Sequence, residues 1–173
     1  MKNNELVVSM WSDVQAKIQN WEQAAQSCAK WQNREDKVVF TNGCFDILHY
    51  GHIHYLTAAR ELGDRLVIGL NSTASVRRLK GIHRPINDHL TRTHLLAALQ
   101  CVDLVVVFEA DTPLKLIQWL SPDVLVKGGD WQISEIVGSD WVQARGGIVK
   151  SLPYVSGYST TNIEQKIKLQ TDV

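Results

Sequence analysis

Val38-Val39-Phe40-Thr41-Asn42-Gly43-Cys44-Phe45-Asp46-Ile47-Leu48-His49-Tyr50-Gly51-His52 passes from a short apolar run through a glycine-containing turn into the start of a helix. Val38 to Thr41 has the composition of a buried strand, and the helix predicted from about Gly51 to Leu62 ends at Gly63-Asp64. A strand feeding a helix in this way lets backbone N–H groups converge on an anion. Gly43 lets the chain pass close to phosphate, and Gly51 leaves room between His49 and His52. These two histidines, three residues apart, can present their rings on one side of the helix start. Imidazoles there can donate hydrogen bonds to phosphate oxygens, and a neighbouring triphosphate favours their protonated forms. Zinc binding and purely structural histidines are the competing readings. Against zinc, the stretch lacks HExxH, and no cysteine or third histidine sits at a familiar ligand spacing. His54 lies two residues past His52, points elsewhere and reads as a surface residue.

Downstream, short apolar runs alternate with helical stretches. Arg65 to Leu70 is a second strand, Leu95 to Leu99 marks a helix, and Leu104 to Phe108 is a third strand. Thr112-Pro113 opens a helix through Leu120, and Ser121-Pro122 breaks it before the strand Val124 to Lys127. A helical stretch around Ser134 to Ala144 precedes Gly146-Gly147, the strand Ile148 to Leu152 and a last helix from Thr160 to Leu169. Such alternation is what a parallel sheet covered on both faces requires. The expected fold is therefore α/β: a three-layer Rossmann-like domain of about five parallel strands with helices on both faces. In such sheets ligands bind beyond the carboxyl ends of the strands, after Thr41, Leu70, Phe108, Lys127 and Leu152.

Three of those segments carry chemistry. Asn71 to Pro85 holds Arg77, Arg78, Lys80 and Arg84 in a span short of acid, suited to phosphate. For Arg77 and Arg78 a solvated surface is the preferred reading. In Lys127-Gly128-Gly129-Asp130-Trp131 the glycines permit close backbone approach, Asp130 can accept from sugar hydroxyls, and Trp131 is either a substrate wall or core. In Gly157-Tyr158-Ser159-Thr160-Thr161-Asn162-Ile163, Ser159 or Thr160 can cap the last helix, and the hydroxyls and amides can hold a triphosphate.

Upstream, Trp11, Val14, Ile18, Trp21, Ala25 and Cys28 recur at helical steps, predicting one amphipathic helix from about Trp11 to Lys30. It packs on the domain or joins subunits. The expected division is a helical extension over residues 1–36 and the main domain over 37–173. The 173 residues, 45% hydrophobic, suffice for one core, and 18 basic against 18 acidic side chains supply no global drive toward nucleic acid or lipid. Cys28, Cys44 and Cys101 show no CxxC or zinc spacing and fit reduced thiols in a cytoplasmic enzyme. The apolar runs are shorter than a bilayer requires, and no signal-peptide core follows Met1 to Glu5.

Gly43, Phe45, Asp46, His49, Gly51 and His52 match the GxFDxxHxGH signature of the cytidylyltransferase-like nucleotidyltransferase superfamily, which the chain resembles from about Lys37 to Lys168. With that signature, RRLKG followed by RP, Asp111-Thr112-Pro113, LVKGGDW and YSTTNI resemble the D-glycero-β-D-manno-heptose 1-phosphate adenylyltransferase (ADP-heptose synthase) family. Its members occur as the C-terminal domain of a bifunctional kinase/adenylyltransferase or alone, and this chain is too short to include the sugar kinase. Glycerol-3-phosphate cytidylyltransferases are also similar. Their RTEGISTT element carries an arginine that Tyr154-Val155-Ser156-Gly157-Tyr158-Ser159-Thr160-Thr161 lacks.

The resemblance implies AMP transfer from ATP to heptose 1-phosphate with magnesium, in a bacterial cytoplasmic homodimer that binds neither nucleic acid nor membrane. It implies catalytic roles for His49, His52, Lys80 and Arg84. Nucleotide contacts are implied for Thr41, Asn42, Gly43, Cys44, Phe45, Gly51, Arg92, Lys127, Gly129, Tyr158, Ser159, Thr160 and Thr161 as well as the histidines. Asp46, Asn71, Asp130 and Trp131, with Lys80 and Arg84, are implied for the sugar phosphate. Asp46 either orients basic groups or helps position magnesium. Other acceptors within the superfamily, such as a phosphopantetheine precursor or a flavin, and a catalytically silent nucleotide-binding module are the remaining alternatives.

Overall fold

The computed structural model describes residues 10–171. Helix α1 (residues 10–16) leads into β1 (Ile18–Gln19), α2 (Trp21–Gln32), β2 (Val38–Gly43), α3 (Tyr50–Arg60), β3 (Arg65–Asn71), α4 (Thr73–Lys80) and α5 (His89–Ala97). Then follow β4 (Leu104–Phe108), α6 (Leu114–Leu120), β5 (Val124–Gly128), a 3-10 turn (Ile133–Glu135), α7 (Ser139–Ala144), β6 (Ile148–Leu152) and α8 (Thr160–Thr171). All six strands are parallel, in the order β1-β4-β3-β2-β5-β6. Among the described residues no helix is long and apolar enough to cross a membrane.

Alternation along the strands builds two cores. Val38 and Phe40 of β2, Val67 of β3 and Val106 of β4 face α2, α6 and α7, where Ala24, Cys28, Leu116, Ile117 and Val142 are buried. Val39, Leu66, Ile68 and Val105 face α3 and α5, against Leu56, Ala59 and Leu96. Each fully buried Leu, Ile or Phe contributes roughly 1.5–3 kcal/mol, so both layers are needed to hold the sheet.

The sheet has six strands rather than about five, and the sixth comes from the N-terminal segment. The single helix predicted from Trp11 to Lys30 is broken. Ile18 and Gln19 pair with Val105 and Val106 at the sheet edge, and Val105 N–H donates to the Lys17 carbonyl. Asn20 restarts the helix: its side chain accepts from Gln23 N–H while the Gln23 side chain accepts from Asn20 N–H. That capping box outweighs the continuous apolar stripe. Trp21 then donates its indole N–H to the Val107 carbonyl at 2.8 Å.

From β2 the chain moves outward to β3 and β4, then returns to the other side of β2 to form β5 and β6. The direction of winding therefore reverses between β2 and β5, and a crevice opens beyond their carboxyl ends.

Candidate active site

At the end of β2 the backbone turns sharply through Phe45, whose φ of 42° is uncommon for a side chain of this size. This turn folds the Phe45 ring back over Gly43, where a Cβ would lie 2.9 Å from it. Phe45 in turn meets the His52 ring edge-on at 5.3 Å, and His52 stacks on His49 with centroids 3.8 Å apart and planes 20° from parallel. Gly51 completes the arrangement, since a Cβ there would sit 3.2 Å from both the His49 ring and the Tyr158 Cβ. The His49 side chain does not cap α3. Both histidine Nδ1 atoms are buried without a hydrogen-bond partner. Burial pushes the His52 pKa down to about 4, the positive charge of His49 and Lys80 acts in the same direction, and a backbone hydrogen bond at Ile47 opposes them. His49 is also lowered by burial. Two neutral, stacked imidazoles with unmet polar atoms form a site that an anion can complete by drawing in protons.

Two clefts adjoin at this stack. One, of about 260 Å³, is lined by Asn42, Gly43, Cys44, Phe45, Asp46, Gly128 and neighbours. The other, of about 320 Å³, runs along His49, Gly51, Val155 and Tyr158 to Thr161. His52, Tyr55, Lys80, Tyr154 and Thr160 line both. Larger openings elsewhere, such as the groove of about 500 Å³ beside Gln15, Gln19, Gln23 and Gln26, lie away from these groups.

Asp46 is 4% exposed and organises the loop between α4 and α5. Its carboxylate accepts from Arg84 Nη1 and from the N–H groups of Ile86 and Asn87, each at 2.9 Å. Burial alone would raise this carboxyl; the two amides and Arg84 outweigh it and hold the pKa below the ordinary value. Of the two roles considered for Asp46, orientation of a basic group is the one this geometry serves. Arg84 also pairs with Glu164 of α8. Lys127 Nζ lies 3.4 Å from Asn42 Oδ1 across the β2–β5 switch, and burial lowers its pKa. Burial raises the Cys44 thiol despite the opposing charges of Lys80 and Arg92, so it stays protonated.

Arg84 and Lys127 line neither cleft and touch the smaller one through Asp46 and Asn42; the other sequence-predicted residues fall into three groups. Asn42, Gly43, Cys44, Phe45, Asp46, His49, Gly51, His52, Lys80, Tyr158, Ser159, Thr160 and Thr161 line the clefts. Ser159 also caps α8, accepting from Asn162 N–H at 3.0 Å, so capping and cleft lining coincide. Thr41, Asn71 and Arg92 lie beneath the site. Thr41 is fully buried with its hydroxyl 2.5 Å from the Tyr55 hydroxyl, and Asn71 donates to Ser75 Oγ. Arg92, 1% exposed, spends Nη1 on the Cys44 and Asn71 carbonyls and braces the loop after β2 against the end of β3. Its burial separates it from the anion contact expected of it. Asp130 and Trp131 are exposed outside the clefts, and the Trp131 indole donates to the Gly128 carbonyl, so Trp131 is neither core nor cleft wall. Gly129, with φ 115°, makes that turn.

Sequence reading missed Tyr55 and Tyr154. Tyr55 is three residues beyond His52 and hence on the same face of α3, a signal that was available. Tyr154 lies just past β6, and its ring covers Gly128 and Gly129, where Cβ atoms would come within 3.0 and 3.1 Å. Among the described residues no group of three or more histidines, cysteines or acids could hold a metal ion.

A parallel α/β domain with stacked histidines, a lysine and a helix N-terminus around a switch-point crevice belongs to the nucleotide-binding α/β class. The chain is a member of the cytidylyltransferase-like family, whose model matches residues 40–166. It is 55% identical over 155 residues to the bifunctional protein HldE of Citrifermentans bemidjiense, covering 90% of this chain and 32% of that protein. HldE of Syntrophotalea carbinolica is 57% identical over 136 residues, covering 79% of this chain and 28% of that protein. The chain thus spans about a third of the length of these curated relatives. Among solved structures, the lipopolysaccharide core biosynthesis protein from Thermoplasma volcanium is 31% identical with a TM-score of 0.57, covering 72% of this chain and 99% of that one. Pantoate-β-alanine ligase from Francisella tularensis, in complex with β-γ ATP and β-alanine, shares the fold at 17% identity and a TM-score of 0.58, covering 88% of this chain and 77% of that one.

Proposed function

We propose that this chain transfers AMP from ATP to D-glycero-β-D-manno-heptose 1-phosphate, giving ADP-heptose and pyrophosphate. The observation that carries the reading is the stacked His49–His52 pair, with unmet Nδ1 atoms, where two clefts adjoin. Two clefts sharing His52, Lys80 and Thr160 suit two phosphorylated substrates whose reacting groups meet at the shared wall. The cleft along Gly51, Tyr158 and Thr160 suits the nucleotide. The smaller cleft at Asn42 to Asp46 suits the sugar phosphate. The match to HldE and to a protein named for lipopolysaccharide core biosynthesis favours a heptose acceptor over glycerol 3-phosphate.

A phosphate oxygen of heptose 1-phosphate attacks the α phosphorus of ATP. The new P–O bond forms as the bond to the β,γ-pyrophosphate breaks, and pyrophosphate leaves in line. The nucleophile is already an anion, so no general base is required. Catalysis rests on placement and charge stabilisation. His49 and His52, taking up protons from solvent as the arriving triphosphate raises their pKa, donate to its oxygens, and Lys80 follows the charge as it moves to the leaving group. Arg84, oriented by Asp46, faces a substrate phosphate. Lys127 acts at the β2–β5 switch, while Asp130 and Trp131 reach the sugar if the loop after β5 closes over it.

Magnesium fits as part of the nucleotide rather than as a protein-held ion, because the Asp46 oxygens already accept three donors. Bound to phosphate oxygens, it would offset triphosphate charge. The catalytic unit comprises residues 37–173, and of the preceding 36 residues those from Met10 onward add the edge strand β1 and the helices α1 and α2. An apolar groove at Met10, Trp11, Val14 and Leu95 supports a homodimer, and the HldE relatives support a bacterial, cytoplasmic setting.

The test is label transfer. With α-labelled ATP and heptose 1-phosphate, label should appear in a sugar nucleotide of the mass of ADP-heptose, and γ-label should leave as pyrophosphate. Label released as AMP or retained in ATP would contradict the proposal.

A further inference from the structure

Arg84 lies on the loop between α4 and α5, outside the lining of both clefts, and two carboxylates hold it, that of Asp46 in the smaller cleft and that of Glu164 on α8. Nη1 donates to Asp46 Oδ2 at 2.9 Å, and Nη2 pairs with Glu164. The side chains of Arg84 and Glu164 are only 18% and 26% exposed, so this is a sheltered pair rather than a loose surface contact. Glu164 lies on α8 one turn beyond Thr160, whose neighbourhood forms the wall of the larger cleft, and just past the YSTTNI segment. The contact therefore straps the α4–α5 loop to α8, which Ser159 caps and which carries Thr160 and Thr161.

A guanidinium has five N–H donors in a rigid fork. Two go to Asp46 and Glu164, leaving three to meet a phosphate. An arginine on a loop otherwise samples many rotamers, and freezing it when substrate binds weakens binding. Asp46 alone fixes one nitrogen and leaves the fork free to swing about that contact. Glu164 supplies the second point that fixes its plane.

We propose that Glu164 is a positioning residue for the reaction, holding the Arg84 guanidinium in the plane from which it meets a substrate phosphate. This rests on the reading that Arg84 contacts phosphate.

The experiment compares steady-state kinetics of E164A, E164Q, R84A and the R84A/E164A double variant, with ATP and heptose 1-phosphate varied in turn. R84A raises one or both KM values. E164A raises the same KM by about three- to tenfold, part of the cost of freezing a long side chain, and leaves kcat within about twofold. E164Q, which keeps an oxygen acceptor, stays near the unsubstituted protein. In the R84A background E164A adds nothing, because Glu164 acts through Arg84. Should E164A fail to fold, E164M keeps side-chain length on α8 without the acceptor and replaces it.

A lower KM in both E164A and E164Q would show Glu164 competing with phosphate and overturn the proposal. So would unchanged kinetics in E164A, a defect equal in E164Q and E164A, or additive defects in the double variant. If R84A alone leaves both KM values and kcat unchanged, the phosphate reading of Arg84 falls and the proposal with it. A defect in R84A without one in E164A overturns the role of Glu164 only.

Discussion

At the amino ends of the strands Asp123 accepts from Val38 N–H and the Gln32 amide, Asp103 accepts from Leu66 N–H, Arg60 and Arg65, and Asp64 accepts from Lys37 N–H. At the carboxyl ends the balance is opposite. Among the described residues, the buried side-chain atoms with no hydrogen-bond partner are His49 Nδ1, His52 Nδ1 and Arg92 Nε, all behind or within the β2–β5 crevice. The amino end even has the larger opening, about 480 Å³ around Gln32, Lys37, Asp123 and Gly146, against about 260 and 320 Å³ for the two clefts. The contrast teaches that void size does not mark this site. Polar groups matched at one end hold the sheet, and polar groups left unmatched at the other are available for a ligand.

The sharpest way to break that contrast is to exchange effects between the two ends. H52A should lose roughly 10²–10³ in kcat, the scale of one donor to a transition-state oxyanion, while its melting temperature holds or rises because a buried unmet imidazole is gone. Normal turnover in folded H52A would remove this histidine from the mechanism. At the opposite end, D103A should lose roughly 1–3 kcal/mol of stability in chemical denaturation, with kcat within about twofold; a kinetic defect larger than the stability loss would blur the two roles. G51A is the finer probe. Helix α3 tolerates alanine there and gains up to about 1 kcal/mol in propensity, yet the new methyl meets the His49 ring and Tyr158. A rise of about tenfold in KM for ATP is expected, an order-of-magnitude figure for a displaced binding group. Unchanged KM would mean that the nucleotide does not pass along Gly51.

The smallest effect concerns protons. His52, with its pKa near 4 in the folded chain against 6.5 for a free imidazole, binds fewer protons folded than unfolded across that interval. Folding therefore carries no protonation cost from His52 above pH 6.5, and stability falls as pH drops through the window toward 4. Triphosphate favours the protonated ring, so ATP binding should take up protons and strengthen modestly from pH 7.5 to 6. Calorimetry in buffers of different ionisation heat reads the uptake; zero uptake would contradict the histidine–phosphate contact.

Much of this was legible in the sequence because the relevant signals are local. The strands Leu104 to Phe108 and Ile148 to Leu152 fall where their apolar runs placed them. The segment from Asn42 to His52 lines the cleft because a strand, a turn and a helix start fix its position without help from elsewhere. What escaped was set by competition or by distance. The edge strand Ile18–Gln19 lost to an apolar stripe in the reading, although Asn20 and Gln23 spelled a helix start. Arg92 was expected to contact the nucleotide, since nothing in its neighbours reveals the carbonyls of Cys44 and Asn71, 48 and 21 residues away, that claim it. Glu164 drew no reading from the sequence, and only the fold brings it to Arg84.

The central claim is tested most directly by magnesium-dependent pyrophosphate release across four mixtures: ATP or CTP, each with heptose 1-phosphate or glycerol 3-phosphate. The structure and relatives described above predict selective release from ATP with heptose 1-phosphate. Selective release from CTP with glycerol 3-phosphate would keep the site chemistry and contradict the substrates, and no release in any mixture would contradict the proposed reaction.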